Sequence, residues 1–219
     1  MISGPVLPPR AGGPPRQLVV LLHGYGADGE DLIGLGEPLG EVLPQALFAA
    51  PDAPARCAQN PFGYEWFPLD FERMVESVSI GMPLARRPVF DYLDDLWART
   101  GLSAGDTFLL GFSQGAMLAL HVGLSLPDEL LGIVSFSGAL VPPDGFGSVA
   151  LPRPPICLVH GELDTVVDPG LTRQAAQALS VAGYEVGLHL SPGMPHGIAP
   201  DGLAYAARFM TDRVAAATA

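Results

Sequence analysis

The sequence predicts an α/β fold, a mostly parallel central sheet with helices on both faces. Three observations predict it. Short apolar runs recur along the chain, and they are apolar on both faces, as strands are when helices cover a parallel sheet from both sides. Segments with helical periodicity alternate with these runs. One run, Phe108 to Leu110, passes through Gly111-Phe112-Ser113-Gln114-Gly115 directly into an Ala/Leu/Met helix. That order is strand, sharp turn, helix, with a serine at the turn.

The elements follow in order. Residues 1–16 are rich in Pro and Gly and read as an irregular leader, so the single catalytic domain is expected over 17–219. Gln17 to Leu22 is a strand, His23 to Gly29 a glycine-rich turn, and a helix is expected from Glu30 towards Gly40. Leu47 to Ala50 is a second strand, closed by Pro51. Residues 51–82 are aromatic and poorly periodic, and they read as one long loop. A loop of that length in a compact domain is usually functional. Pro83 to Thr100 reads as a helix, and Gly101 ends it. After the serine, Gln114 to Leu124 is a helix and Leu131 to Phe136 a strand. Pro155 to His160 is a strand, Leu171 to Ala182 a helix, Tyr184 to Leu190 a strand and Asp201 to Ala216 the last helix.

Composition narrows the function. The chain has 219 residues, 48% of them hydrophobic, enough for one substantial core. Its charge is 11 − 23 = −12, and all eleven basic residues are arginine. An acidic surface without basic clusters argues against nucleic acid or an anionic membrane as partner. Cys57 lies in a loop and Cys157 in an apolar run. Two cysteines make neither a disulfide framework nor a metal spacing. No secretory h-region and no membrane-length apolar run are visible, so a cytoplasmic protein is expected, with no integral membrane association.

The turn at Ser113 is a G-x-S-x-G motif, which holds a serine in a strained conformation between strand and helix. The bland alternative is an ordinary turn with a helix-capping serine. A serine hydroxyl needs a base to take its proton, and the base needs an acid to orient it. In α/β hydrolases the chain order is Ser, then Asp or Glu, then His. Downstream of Ser113, Asp164 follows one strand in His160-Gly161-Glu162-Leu163-Asp164, and His196 follows the last strand in Pro195-His196-Gly197. Open α/β sheets place their sites at such strand ends. Asp168, before Pro169, reads as the start of a helix, and Glu162 as a solvated neighbour. Among the other histidines, His121 reads as packing or surface, His189 as exposed and His160 as bonded to nearby backbone. His23 precedes the serine. An oxyanion needs two N–H donors, and the amides of Gln114 and Tyr25 are the candidates.

The same glycine turn offers a rival reading. Gly24-Tyr25-Gly26-Ala27-Asp28-Gly29 matches G-x-G-x-x-G, and Asp52 lies 52 − 29 = 23 residues further on. A nicotinamide-dependent oxidoreductase would use them for pyrophosphate and ribose. That reading leaves Ser113, Asp164 and His196 unexplained. A non-catalytic binding module on the same fold is the other alternative.

The chain resembles the phospholipase/carboxylesterase group of α/β hydrolases, which includes acyl-protein thioesterases. The residues that carry the resemblance are Leu22-His23-Gly24-Tyr25-Gly26-Ala27-Asp28, Trp66-Phe67, Gly111-Phe112-Ser113-Gln114-Gly115, Ser137-Gly138, His160-Gly161 with Asp164 and Val167, and Pro195-His196-Gly197. The resemblance implies an α/β-hydrolase fold without a separate cap domain, and no metal or cofactor. It implies Ser113, Asp164 and His196 as triad, the Tyr25 and Gln114 amides as oxyanion hole, and a homodimer. The expected reaction is cleavage of short- to medium-chain acyl esters, with thioesters and lysophospholipids as alternative substrates of the same site. Phe62, Tyr64, Trp66, Phe67, Phe71 and Met74 of the long loop are the expected acyl-binding residues. The chain departs from the family at Asp168, usually Pro, and at Tyr64-Glu65-Trp66, often Arg-x-Trp. An acidic Glu65 at the expected entrance argues against anionic substrates.

Overall fold

The computed structural model describes residues 2–70, 72–148 and 150–218. The strands are β1 (Val6–Leu7), β2 (Gln17–Leu22), β3 (Ala46–Ala49), β4 (Ala55–Arg56), β5 (Tyr64–Glu65), β6 (Thr107–Phe112), β7 (Gly132–Phe136), β8 (Ile156–Gly161) and β9 (Val186–Ser191). The helices are α1 (Gly29–Ile33), α2 (Gly36–Val42), α3 (Met74–Thr100), α4 (Gln114–Gly123), α5 (Pro169–Val181) and α6 (Pro200–Ala217). Seven strands form one sheet in the order β1-β3-β2-β6-β7-β8-β9. Within this sheet, among the described residues, only β1 is antiparallel to its neighbour. β4 and β5 form a separate two-stranded ribbon.

The period of two in a strand sorts each apolar run onto two faces. In β2, Leu18, Val20 and Leu22 point into one core with Leu93, Leu96, Leu118 and Leu179. Val19 and Leu21 point into the other, with Leu39, Leu43, Ala206 and Met210. So α3, α4 and α5 cover one face, and α1, α2 and α6 the other. That explains why the strands read as continuous apolar runs. The register aligns their carboxyl ends: Phe112 pairs with Phe136, Phe136 with Val159 and Gly161 with Ser191. Everything that follows β6, β8 and β9 therefore emerges at one edge of the sheet.

Four sequence expectations need correction. The leader is not wholly irregular, because Val6 and Leu7 pair with Ala49 and Phe48 and cover the outer side of β3. The single helix expected over 30–40 is two short ones, broken at Gly34 and Leu35. The long loop ends early. α3 begins at Met74 and carries Pro83 and Pro88 inside it. An internal proline costs one backbone hydrogen bond and normally marks a helix start. Here Val78, Met82, Ala85, Val89 and Leu93 bury one continuous stripe across both prolines, and that stripe holds the helix together. Finally, His189 is half-buried, with Nε2 2.8 Å from Asp201 Oδ2, and Leu188 is the more exposed residue.

Candidate active site

Ser113 sits between β6 and α4 at φ 54°, ψ −116°, a left-handed conformation that a non-glycine residue adopts only where its surroundings force it. The force comes from both sides. The Ser113 amide is tied to the Phe136 carbonyl at 2.9 Å. The start of α4 is pressed against β2, where a methyl group on Gly115 would lie 2.0 Å from the Leu22 carbonyl oxygen. Only glycine permits that approach. The Ser113 side chain makes no capping bond to α4, so it is not a helix cap.

Asp164 and His196 come together in the loops beyond β8 and β9. Asp164 Oδ2 accepts from His196 Nδ1 at 2.6 Å, and Oδ1 accepts from the Val166 and Val167 amides at 2.8 and 2.9 Å. Two backbone bonds weld the loops, Glu162 N–H to Ser191 O and Leu163 N–H to Met194 O. Burial alone would push the Asp164 carboxyl up, but the bonds from His196, Val167 and Val166 outweigh it and hold it below its usual value. A carboxylate only accepts, so His196 carries its proton on Nδ1, and Nε2 is left as the basic nitrogen. The ring leans on Phe112, centroids 4.8 Å apart. Asp168, by contrast, caps α5 by accepting from the Gly170 amide.

Ser113 and His196 line one cavity of about 190 Å³, together with Tyr25, Leu69, Met74, Val78, Gln114, Met117, Val166 and Val167. The His23–Gly26 loop forms one side: a methyl group on Gly24 would lie 3.5 Å from Ser113 Cβ. Burial pushes the Tyr25 phenol up, and its hydrogen bonds to Cys57 and Glu65 add to the shift. Glu65 is itself buried and accepts from the Ala58 amide, so it does not stand exposed at the entrance.

Most of the expected acyl-binding residues lie elsewhere. Trp66 and Phe67 are buried in the core. The Trp66 indole donates to the His23 carbonyl, and the Gln114 side chain holds the backbone of both residues. Phe62 is 86% exposed. Tyr64 stacks under the Arg56 guanidinium and lines a separate depression with Asp52, Pro88 and Asp91. Phe71 lies outside the described residues. Of that group only Met74 lines the cavity. Sequence reasoning missed Leu69, Val78, Met117, Val166 and Val167. Spacing offered a signal for three of them, since Met117 is one helical turn beyond Ser113 and the valines stand two and three residues after Asp164.

His160 was expected to bond to backbone, and it does, but it also reaches the acid. Its Nε2 lies 3.1 Å from Asp164 Oδ2 and 2.9 Å from the Val167 carbonyl. Asp52, the residue placed to bind a ribose, accepts instead from the Gly29 amide and holds the glycine turn in shape. Among the described residues, no cluster of three His, Cys, Asp or Glu is arranged to hold a metal ion.

A family model described as Phospholipase/Carboxylesterase matches residues 9–213. The chain belongs to the phospholipase/carboxylesterase family. Membership makes it an α/β hydrolase of the esterase and thioesterase class, and it displaces the nicotinamide reading. Esterase YpfH of Escherichia coli (strain K12) is 29% identical, over 84% of this chain and 78% of the relative. Acyl-protein thioesterase 1 of Neurospora crassa is 27% identical, over 90% and 86%. Among solved structures, esterase PE8 is 47% identical with a TM-score of 0.92, covering 96% of this chain and 98% of that one. A carboxylesterase from Bacillus cereus, 17% identical with a TM-score of 0.79 over 97% and 95%, shares the fold.

Proposed function

We propose that the chain is a serine esterase working through an acyl-enzyme. Ser113 attacks the ester carbonyl. His196 Nε2 takes its proton and returns it to the leaving alcohol, and Asp164 holds the imidazole in the Nδ1–H form. The amides of Gln114 and Tyr25 receive the oxyanion. Gln114 opens α4, where the first N–H groups have no partner within the helix. Water then attacks the acyl-enzyme by the same route. The observation that carries this reading is the 2.6 Å bond between His196 and Asp164, beside a cavity shared with a strained serine.

The substrate is a small ester with a short- to medium-chain acyl group. The cavity is small, and Leu69, Met74, Val78 and Met117 give it an apolar part of its lining. The relatives named as thioesterases support thioesters as a second substrate of the same site. Among the described residues, no helix is long and apolar enough to cross a membrane. A cytoplasmic location and a homodimer belong to the same proposal, to be tested by fractionation and sedimentation.

The deciding experiment is labelling with a fluorophosphonate probe, alongside p-nitrophenyl butyrate hydrolysis. The parent should label once and turn over. Ser113→Ala should do neither, with turnover lowered roughly 10³-fold or more. Activity that survives in Ser113→Ala removes Ser113 as the nucleophile.

A further inference from the structure

Asp164 has more hydrogen bonds than one histidine requires. Its Oδ2 faces two imidazoles, His196 Nδ1 at 2.6 Å and His160 Nε2 at 3.1 Å. The His160 side chain is wholly buried and does not reach the cavity. Its Nε2 is surrounded by acceptors, the carboxylate and the Val167 carbonyl, so Nε2 carries a proton. Its Nδ1 lies 2.6 Å from the Thr172 hydroxyl of α5, which in turn lies 2.9 Å from the Gly138 carbonyl beyond β7. Gly138 rests on α4, since a methyl group there would lie 2.8 Å from Ala116 Cβ. Side-chain contacts therefore run from the acid through His160 and Thr172 to the segment that backs the helix of Ser113, with the one Thr172 hydroxyl proton shared between His160 Nδ1 and the Gly138 carbonyl.

We propose that His160 is a positioning residue for the reaction: its Nε2–H, shared between Asp164 Oδ2 and the Val167 carbonyl, fixes the carboxylate against His196 and moderates how strongly that carboxylate attracts the His196 proton. This rests on the assignment of Ser113, Asp164 and His196 above. The charged and titratable groups that act on His160 are Asp164, in the loop after its own strand, and His196, in the loop after β9. α5 contributes the Thr172 hydroxyl, and the turn after β7 the Gly138 carbonyl. Burial pushes the imidazole below its usual value, which keeps the ring neutral with its proton towards Asp164. A carboxylate relieved of that donor is a stronger acceptor for His196 alone, and it raises the affinity of His196 for a proton.

Two substitutions of equal polarity separate this role from packing. His160→Gln carries an amide nitrogen out to where Nε2 stands. His160→Asn places its amide near Nδ1, within reach of Thr172 but short of Asp164. The acidic limb of kcat/KM reports the free-enzyme base. In His160→Asn that limb should move up by about half a unit or more. There kcat should fall about tenfold, with KM changed less than about threefold. His160→Gln should recover most of both losses. Limbs and kcat matching the parent in both variants, or equal losses in both, would overturn the proposal. Ser113→Ala measured alongside keeps the two readings apart. Activity surviving that change overturns the site itself. Its loss, combined with a parent-like His160→Asn, overturns only the role of His160.

Discussion

The side chain of Gln114 closes on Trp66: Oε1 accepts the Trp66 backbone N–H at 3.0 Å, while Nε2 donates to the next carbonyl, Phe67, at 2.8 Å. Both bonds are buried. The residue proposed to offer its amide to the oxyanion thus also pins the segment after β5. Gln114→Ala should leave a buried donor and a buried acceptor unmet, and lower unfolding free energy by roughly 2–4 kcal/mol. Its backbone N–H remains, so Ser113 should still label to completion, though more slowly. Urea denaturation and labelling rates check the two halves. A variant as stable as the parent would mean that the clamp contributes nothing.

Asp164 and Asp168 stand four residues apart with different work to do. Asp164→Asn can present its amide to His196 and select the wrong imidazole tautomer, so kcat should fall by roughly 10⁴-fold. Asp168→Asn keeps a good helix cap on α5 and should cost at most a few tenths of a kcal/mol. Steady-state kinetics of the two variants distinguish them. Reversed effects would move the orienting acid to Asp168.

Acyl preference should follow the residues that line the cavity and not the aromatic loop. Each methylene buried against Leu69, Met74, Val78 and Met117 should add about 0.8 kcal/mol to transition-state binding until the space is filled. Val78→Trp should shorten the preferred chain in a p-nitrophenyl ester series from acetate to palmitate. Trp66→Ala should instead cost about 3–5 kcal/mol of stability with the preference kept, because Trp66 is core. A Trp66→Ala profile shifted towards longer chains would return that residue to the acyl site.

Stability should fall on mild acidification. His23, His121 and His160 are buried, and burial pushes each imidazole below its ordinary value. The unfolded chain takes up protons near pH 6.5 that the folded chain refuses. Stability is therefore fully present above about pH 6.5 and declines as pH falls towards the folded values, by up to about 1.4 kcal/mol per unit for each histidine. Urea unfolding at pH 7.5 and 5.5 measures it, and equal free energies at the two values would contradict the neutral assignment.

The sequence made the sheet and the serine turn legible because both rest on local signals: apolar runs, Gly111 and Gly115. The chain order of Ser113, Asp164 and His196 sufficed for their loops. What stayed hidden rests on distant partners. Nothing within the loop shows that Trp66 and Phe67 are claimed by Gln114 and His23, far away in the chain, so their aromatic character read as a groove. Pro83 and Pro88 disguised the first turns of α3, where the buried stripe prevails over a local rule. His160, near the end of β8, stands four residues before Asp164, but across a turn and not along a helix, where spacing does not say which groups meet.

β9 is the outer strand at its end of the sheet among the described residues, whereas β6 has a strand on either side. Ser113 is thus hung from the interior of the molecule and His196 from its margin. Margins fray first, through partial openings far cheaper than global unfolding. On warming, the enzyme should forget its chemistry before it loses its shape: Ser113 stays mounted while His196 drifts off with the hem of the sheet, and returns when the chain is cooled.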